Sequence, residues 1–263
     1  MTIGFPSKTA GTKLFLYQKG GEMYAEDGKR INLSSNVALD AFTELTDLFQ
    51  SYRFPLTYEA ANRFRTGEMP ILIQDYISLY NQLTVFAPEI DGLWEFAPLP
   101  GFVDEEGNIN NCSVVTVEGV CLMKGAEDNK EDSWRFLEWF TRASVQEAYS
   151  NELVAVVGQS SKNATANTEA LSMLPWSARE YRNLKAQFDN TVGITEYPGA
   201  YIITRYIDFA FMDVYNKGAN ASDAMLDYVM NINKEISRKR KEFGFEYIDI
   251  SKLSINDYVE QES

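Results

Sequence analysis

Between positions 34 and 52 the apolar residues Ala38, Ala41, Phe42, Leu45, Leu48, Phe49 and Tyr52 recur at steps of three and four, the period that lines one face of an α-helix. Ser34 or Ser35 stands where an N-cap belongs and Pro55 lies beyond the end, so the spacing predicts an amphipathic helix over 34–52. A shorter helix is predicted over 58–66, stopped by Gly67. The apolar run 69–74 then reads as a buried strand. Asp75 is placed to cap a helix through Tyr76, Leu79 and Leu83 that ends before Pro88. Residues 93–101 are proline-punctuated and read as extended, 104–108 as a turn, and 113–123 as a β-branched strand broken at Glu118-Gly119. Helices follow over 132–140 and 144–149, the second opened by Ser144-x-x-Glu147 at capping-box spacing, and a second such box, Ser177-x-x-Glu180, opens a helix to about Phe188. After a loop over 190–199 come two more helices, 200–216 ending at Gly218 and 222–243 ending at Gly244. The second places Met225, Val229, Ile232 and Ile236 on one face. Helices alternating with short apolar runs predict an α/β fold.

At 263 residues with 45% hydrophobic positions the chain can bury a real core. No window holds the roughly 18 apolar residues a membrane span requires, and the opening residues lack the charged and apolar halves of an export signal. The balance of 24 basic against 38 acidic residues, −14 in all, repels phosphate and anionic lipid and argues against nucleic acid as a partner. The single basic run, 237–242, ends a helix, where cations complement the dipole. Cys112 and Cys121 match no zinc or redox spacing and read as small buried hydrophobes. The absence of histidine removes Ser-His and Cys-His nucleophile pairs and HExxH metal sites together. No metal or cofactor is indicated, and the acidic 104–108 turn reads as solvated rather than as a calcium loop.

Four stretches then fall in a suggestive order: Asn62-Arg-Phe-Arg-Thr-Gly-Glu-Met-Pro-Ile71; Ala87-Pro-Glu-Ile-Asp-Gly-Leu-Trp-Glu-Phe-Ala-Pro-Leu-Pro-Gly101; Val120-Cys-Leu-Met-Lys-Gly125 leading into Asp132-Ser-Trp-Arg-Phe-Leu-Glu-Trp-Phe140; and the long helix closing on Arg240-Lys-Glu-Phe-Gly244. In that order they resemble the family 1 extracellular solute-binding proteins, the maltose-binding-protein-like receptors of ABC importers. The resemblance runs from about Gly11 to Gly244 and matches the later portion of such a receptor, so Met1 is expected to begin partway along one. It implies a periplasmic-binding-protein-like fold of type II, comprising the C-terminal lobe plus a crossing segment of the other lobe. Residues 1–98 and 151–250 would form the ligand lobe, 99–150 the crossing segment and 251–263 an acidic tail. It further implies a monomeric, non-catalytic receptor on the outer face of the membrane or in the periplasm, which holds a mono- or oligosaccharide by hinged closure and presents it to importer subunits.

A sugar offers an apolar face and a rim of hydroxyls, so its site needs flat rings with carboxylates, amides or a guanidinium around them. Asp75 and Tyr76 follow a strand at its carboxyl end, where open α/β sheets put ligands. The matching turn of the family carries a ligand-stacking aromatic near Tyr76, whereas Asp75 serves equally well as a helix cap. Glu118 interrupts an apolar strand and faces a cleft or a solvated turn. Tyr197, Tyr201 and Arg205 gather around the Pro198-Gly199 turn. There Tyr201 and Arg205 share a helix face, and Arg205 either grips hydroxyls or pairs with Asp208. Trp94 and Trp176 are further candidate platforms, while Trp134 and Trp139 sit in an amphipathic helix and read as core. The rival readings are a glycoside hydrolase built on two of the 38 acids and a non-transport carbohydrate- or protein-binding module.

Overall fold

In the computed structural model residues 2–104, 106–115 and 119–250 are described. Strand β1 (Ile3–Gly4) passes through Phe5-Pro6-Ser7 into helix α1 (Lys8–Gln18), and α2 (Asn36–Gln50) follows. After α3 (Ala60–Arg65), strand β2 (Ile71–Leu72) returns parallel to β1, with Ile3 opposite Ile71 and Gly4 opposite Leu72. Helix α4 (Tyr76–Phe86) leads to the extended run 93–101 and the hairpin β3 (Phe102–Val103) and β4 (Ile109–Asn110). Strand β5 (Ser113–Val115) precedes helices α5 (Lys130–Phe140) and α6 (Ala143–Val157). Then come α7 (Thr168–Leu171), α8 (Ala178–Phe188), strand β6 (Thr191–Gly193), α9 (Ile203–Lys217) and α10 (Ala221–Glu242).

The main core lies where α1, α2, α9 and α10 pack on one another. Three of them offer the stripe their period predicts: Ala38, Ala41, Phe42, Leu45 and Phe49 from α2 meet Ile207, Ala210, Phe211 and Val214 from α9 and Met225, Val229, Ile232 and Ile236 from α10. Burial of each large side chain stabilises the fold by about 1.5–3 kcal/mol. Phe49 sets its ring edge-on to Phe211 at 5.2 Å. Gly199 admits the turn into α9: its φ is 94°, and a Cβ there would come within 2.7 Å of the Ile236 Cα.

A second, smaller core gathers Leu171, Leu174, Trp176 and Leu184 with Tyr76, Ile77, Tyr80, Phe96, Tyr181 and Phe188. Thus α4, α7, α8 and the extended run share one apolar interior. Asn183 Nδ2 donates to the Phe96 carbonyl at 2.8 Å, and Leu99 N donates to Gln187 Oε1 at 2.7 Å. These two bonds clamp the extended run along α8.

Most element boundaries match the sequence pattern. Ser35 caps α2, Asp75 caps α4 through the Ser78 N–H, and Ser177 with Glu180 forms a reciprocal capping box on α8. Several expectations are corrected. Residues 191–193 of the expected loop form β6, which lies parallel to β5 with Val114 opposite Val192. Ser144 is not a cap: α6 begins at Ala143 behind Arg142 and continues to Val157. Only Ile71–Leu72 of the apolar run 69–74 is strand, and Cys121 is exposed whereas Cys112 is buried. Trp134 and Trp139, expected in the core, are 61% and 48% exposed, because among the described residues α5 packs mainly on α6 and the turn before it.

Candidate functional site

The parallel pair β1–β2 places the ends of two strands side by side, and each opens a helix: Phe5, Pro6 and Ser7 lead into α1, while Ile73, Gln74 and Asp75 lead into α4. Gly4 makes the pairing possible, since a Cβ there would come 2.3 Å from Leu72 Cδ2 and 2.8 Å from Met69 Sδ. At this carboxyl edge lies an open groove of about 390 Å³, lined by Phe5, Pro6, Ser7, Leu56, Thr57, Tyr58, Ala60 and Gln74. Rings and aliphatic carbons meet hydroxyls and an amide, which is the composition a sugar requires. The Tyr58 hydroxyl donates to the Phe5 carbonyl at 3.5 Å, and burial pushes its pKa up, so the phenol stays protonated at neutral pH. Ser7 precedes α1 without capping it, leaving its hydroxyl free of that duty. Lys8, next along, holds φ at 54°, a left-handed conformation that non-glycine residues adopt at a cost.

A neighbouring groove of about 500 Å³ lies toward the amino ends of the strands, lined by Thr57, Tyr58, Glu59, Asn62, Arg63 and Glu68. It is larger, but Tyr58 is its one aromatic and Arg63 is paired with Glu68 at 3.3 Å. The carboxyl-edge groove, with strand ends and helix starts converging on it, is the better candidate.

An aromatic wall is built on α4, which begins two residues past Gln74. Tyr76 faces Phe96 at 5.3 Å and Trp176 at 6.2 Å, Tyr80 meets Trp176 at 5.3 Å and Trp94 at 5.7 Å, and Trp94 meets Phe64 at 6.1 Å. Desolvation holds the Tyr76 phenol well above its usual pKa. Neither its hydroxyl nor Trp176 Nε1 has a hydrogen-bond partner among the described residues, although both atoms are buried.

The expected site residues divide between two regions. Asp75 sits at the carboxyl edge and spends one carboxylate oxygen on the Ser78 N–H at 2.8 Å, which realises the capping role. Tyr76 turns its ring into the wall rather than into the groove. Tyr197 lies under Tyr24, ring centroids 4.8 Å apart, with the Arg240 guanidinium 6.0 Å from its face. Tyr201 donates its hydroxyl to Glu235 on α10. Arg205 is exposed on α9, and its alternative partner Asp208 instead accepts from the Thr9 N–H and hydroxyl at 3.1 and 2.8 Å. Those bonds, with Thr9 Oγ1 donating to the Thr204 carbonyl at 3.1 Å, fix the first half of α9 beside the start of α1. No hydrogen bond, ion pair or ring contact among the described residues joins Tyr197, Tyr201 or Arg205 to Asp75 or Tyr76. Glu118 lies outside the described residues.

No protein-family profile and no curated protein matches this chain; the likeness is to solved structures. The sugar-binding protein MalE from Xanthomonas citri superposes with a TM-score of 0.72 at 15% identity over 93% of this chain and 60% of its own. An ABC transporter solute-binding protein from Thermotoga lettingae bound with α-D-tagatose gives 0.65 at 18% identity, over 89% of this chain and 60% of its own. Maltose-bound MalE3 from T. maritima gives 0.56 at 18% identity, over 86% and 56%. The fold is periplasmic-binding-protein-like. This chain spans about 60% of the length of those proteins, so the shared fold is partial. Among the described residues no cluster of acidic side chains and cysteines is placed to hold a metal ion, and no helix is long and apolar enough to cross a membrane.

Sequence pattern did not single out Phe5, Ser7, Thr57 or Tyr58. Two cues were present: Gly4 followed by Pro6 marks a close backbone approach and a forced turn, and Ser7 precedes α1. Their convergence depends on the β1–β2 pairing, about 68 residues apart in sequence, which no local period reports.

Proposed function

We propose that this chain is a non-catalytic receptor for a small polar solute, a mono- or oligosaccharide, which it delivers to an ABC importer. The observation that carries the reading is the mixed groove at the carboxyl edge of β1–β2 in a periplasmic-binding-protein-like fold. Solved neighbours of that fold hold tagatose and maltose. In this reading residues 1–98 and 151–250 supply the ligand lobe, and 99–150 belongs to a crossing into the other lobe. Phe5 and Tyr58 cover a sugar face while Ser7, Thr57 and Gln74 take hydroxyls; Asp75 orients the helix start, and Tyr76 backs the site. Arg205, exposed on the helix that Thr9 ties to α1, reaches the rim when the lobes close. Receptors of this kind work on the outer face of the membrane or in the periplasm.

Calorimetric titration of the 263-residue protein with maltose and with D-tagatose tests the proposal. Saturable binding of either sugar without its hydrolysis, lost in Tyr58→Ala, supports it. Release of glucose from maltose by the pure protein would overturn the non-catalytic reading, and absence of binding to both sugars would remove support for the ligand class.

A further inference from the structure

The most deeply buried cation in the aromatic wall is Lys162, 5% exposed on the connector between α6 and α7. Its ammonium lies 4.7 Å from the Trp176 ring centroid and 5.0 Å from that of Tyr80. It also donates to the Tyr80 hydroxyl at 3.0 Å and pairs with Glu180 Oε2 at 3.5 Å. The same Glu180 oxygen accepts from the Ser177 N–H at 2.7 Å, so one carboxylate closes the α8 capping box and neutralises the lysine. The Lys162 backbone is held too, its carbonyl accepting from Asn81 Nδ2 at 2.9 Å. One residue therefore grips α4 at Tyr80 and Asn81, α8 at Glu180 and the segment leading into α8 at Trp176.

An ammonium is costly to bury, and here a carboxylate, a phenol hydroxyl and the Trp176 ring offset that cost. A methionine or leucine of similar length would fill the volume without desolvating a charge. What the charge adds is direction: the hydrogen bond to the Tyr80 hydroxyl and the cation–π contact with Trp176 orient the two rings about the ammonium. The first turn of α4 carries Tyr76, Asp75 caps it, and Gln74 immediately before the cap lines the groove. The rotation of α4 about the Lys162 clamp therefore sets where Gln74 stands.

We propose that Lys162 is a positioning residue of the ligand site, whose buried charge orients the Tyr80–Trp176 pair and through α4 places Gln74 at the groove. The inference rests on the sugar-receptor reading for its consequence, though not for its geometry. It is tested in a background with Trp94, Trp134 and Trp139 replaced by Phe, which leaves Trp176 as the reporter among the four tryptophans. Lys162→Met changes the emission maximum and raises acrylamide quenching of Trp176 at least twofold, and Lys162→Arg restores both. In the otherwise unaltered protein Lys162→Met weakens maltose binding at least tenfold while the thermal midpoint stays within a few degrees, and Lys162→Arg stays within about threefold of the parent. Should Lys162→Met not fold, Glu180→Gln, which keeps an acceptor for the Ser177 N–H but removes the counter-charge, shifts Trp176 emission in its place.

Unchanged Trp176 emission and quenching in Lys162→Met, or in Glu180→Gln where that variant stands in, overturns the proposal, as does unchanged maltose affinity. If the parent protein binds neither maltose nor D-tagatose, the sugar-receptor reading fails, and the Trp176 signature alone decides the role of Lys162.

Discussion

Asn233 shows how one polar side chain is admitted to the core of this fold. It is fully buried on α10, and its Oδ1 accepts from the buried Ile31 N–H at 2.8 Å, tying the loop before α2 to the last helix. Removing it strands a backbone donor in an apolar interior, a loss of about 1–3 kcal/mol. Asn233→Ala is expected to lower unfolding stability by about 2 kcal/mol, read as a lower urea midpoint at unchanged slope. On the next turn, Glu235 has its carboxyl drawn down from 4.5 to about 2, chiefly by the Arg238 guanidinium at 2.6 and 2.8 Å and then by the Tyr201 hydroxyl. A carboxyl with a depressed folded pKa stabilises above its unfolded pKa, and that contribution fades as pH falls from about 4.5 toward 2. Urea unfolding at about pH 5 and about pH 3 is therefore expected to show a larger acid loss in the parent protein than in Glu235→Gln; equal losses would show that the pair contributes nothing. Tyr201 is thereby committed to α10, which sequence alone could not reveal, because Glu235 lies 34 positions further along.

The two capping-box spacings of the chain make a controlled comparison between elements. Ser177 accepts from the Glu180 N–H at 3.2 Å while Glu180 accepts from the Ser177 N–H, and α8 begins there; Ser144 sits inside α6 behind Arg142. Ser177→Ala is expected to cost about 1 kcal/mol, whereas Ser144→Ala, an exposed substitution inside a helix, stays within about 0.5 kcal/mol. Chemical denaturation of the two variants side by side distinguishes them. The contrast also explains what the sequence could and could not show. Helices with a clean stripe, α2, α9 and α10, were legible because their own residues carry the period. Helix α1 was not: Thr9, Gly11, Thr12, Leu14, Phe15, Leu16, Tyr17 and Gln18 are buried nearly all round, so no periodic stripe marks it. Strand β6 escaped for a different reason, since three residues ending in Gly193 become a strand only beside β5, 78 positions earlier. The candidate site was legible in the same uneven way. The strand-end logic pointed to the turn that carries Gln74, whereas Phe5, Tyr58 and Lys162 depend on contacts between distant segments.

At the scale of the whole molecule, burial is unevenly shared. Helices α1, α2, α9 and α10 enclose the main core, whereas α5 has no buried residue and α6 only Ser150. Yet α5 is not a surface helix by composition. Trp134, Phe136, Trp139 and Phe140 are all exposed on it, with Phe136 stacked on Phe140 at 6.1 Å. Among these rings run the ion pairs of Arg135 with Glu131 and Asp132 and of Arg142 with Glu138, each with both partners well exposed and so worth little. A helix with so wide an apolar arc draws its stability from whatever covers it, and among the described residues α5 packs mainly on α6 and the preceding turn. Local opening of α5 therefore requires breaking few contacts, while opening of α10 disrupts the main core. Hydrogen exchange of the 263-residue protein is expected to show α5 amides exchanging at least a hundredfold faster than those at the centre of α10, with α2 and α9 protected alongside α10. Equal protection in α5 and α10 would mean that the aromatic arc is covered in solution, and an assembly state measured by light scattering would then show whether a second copy of the chain covers it.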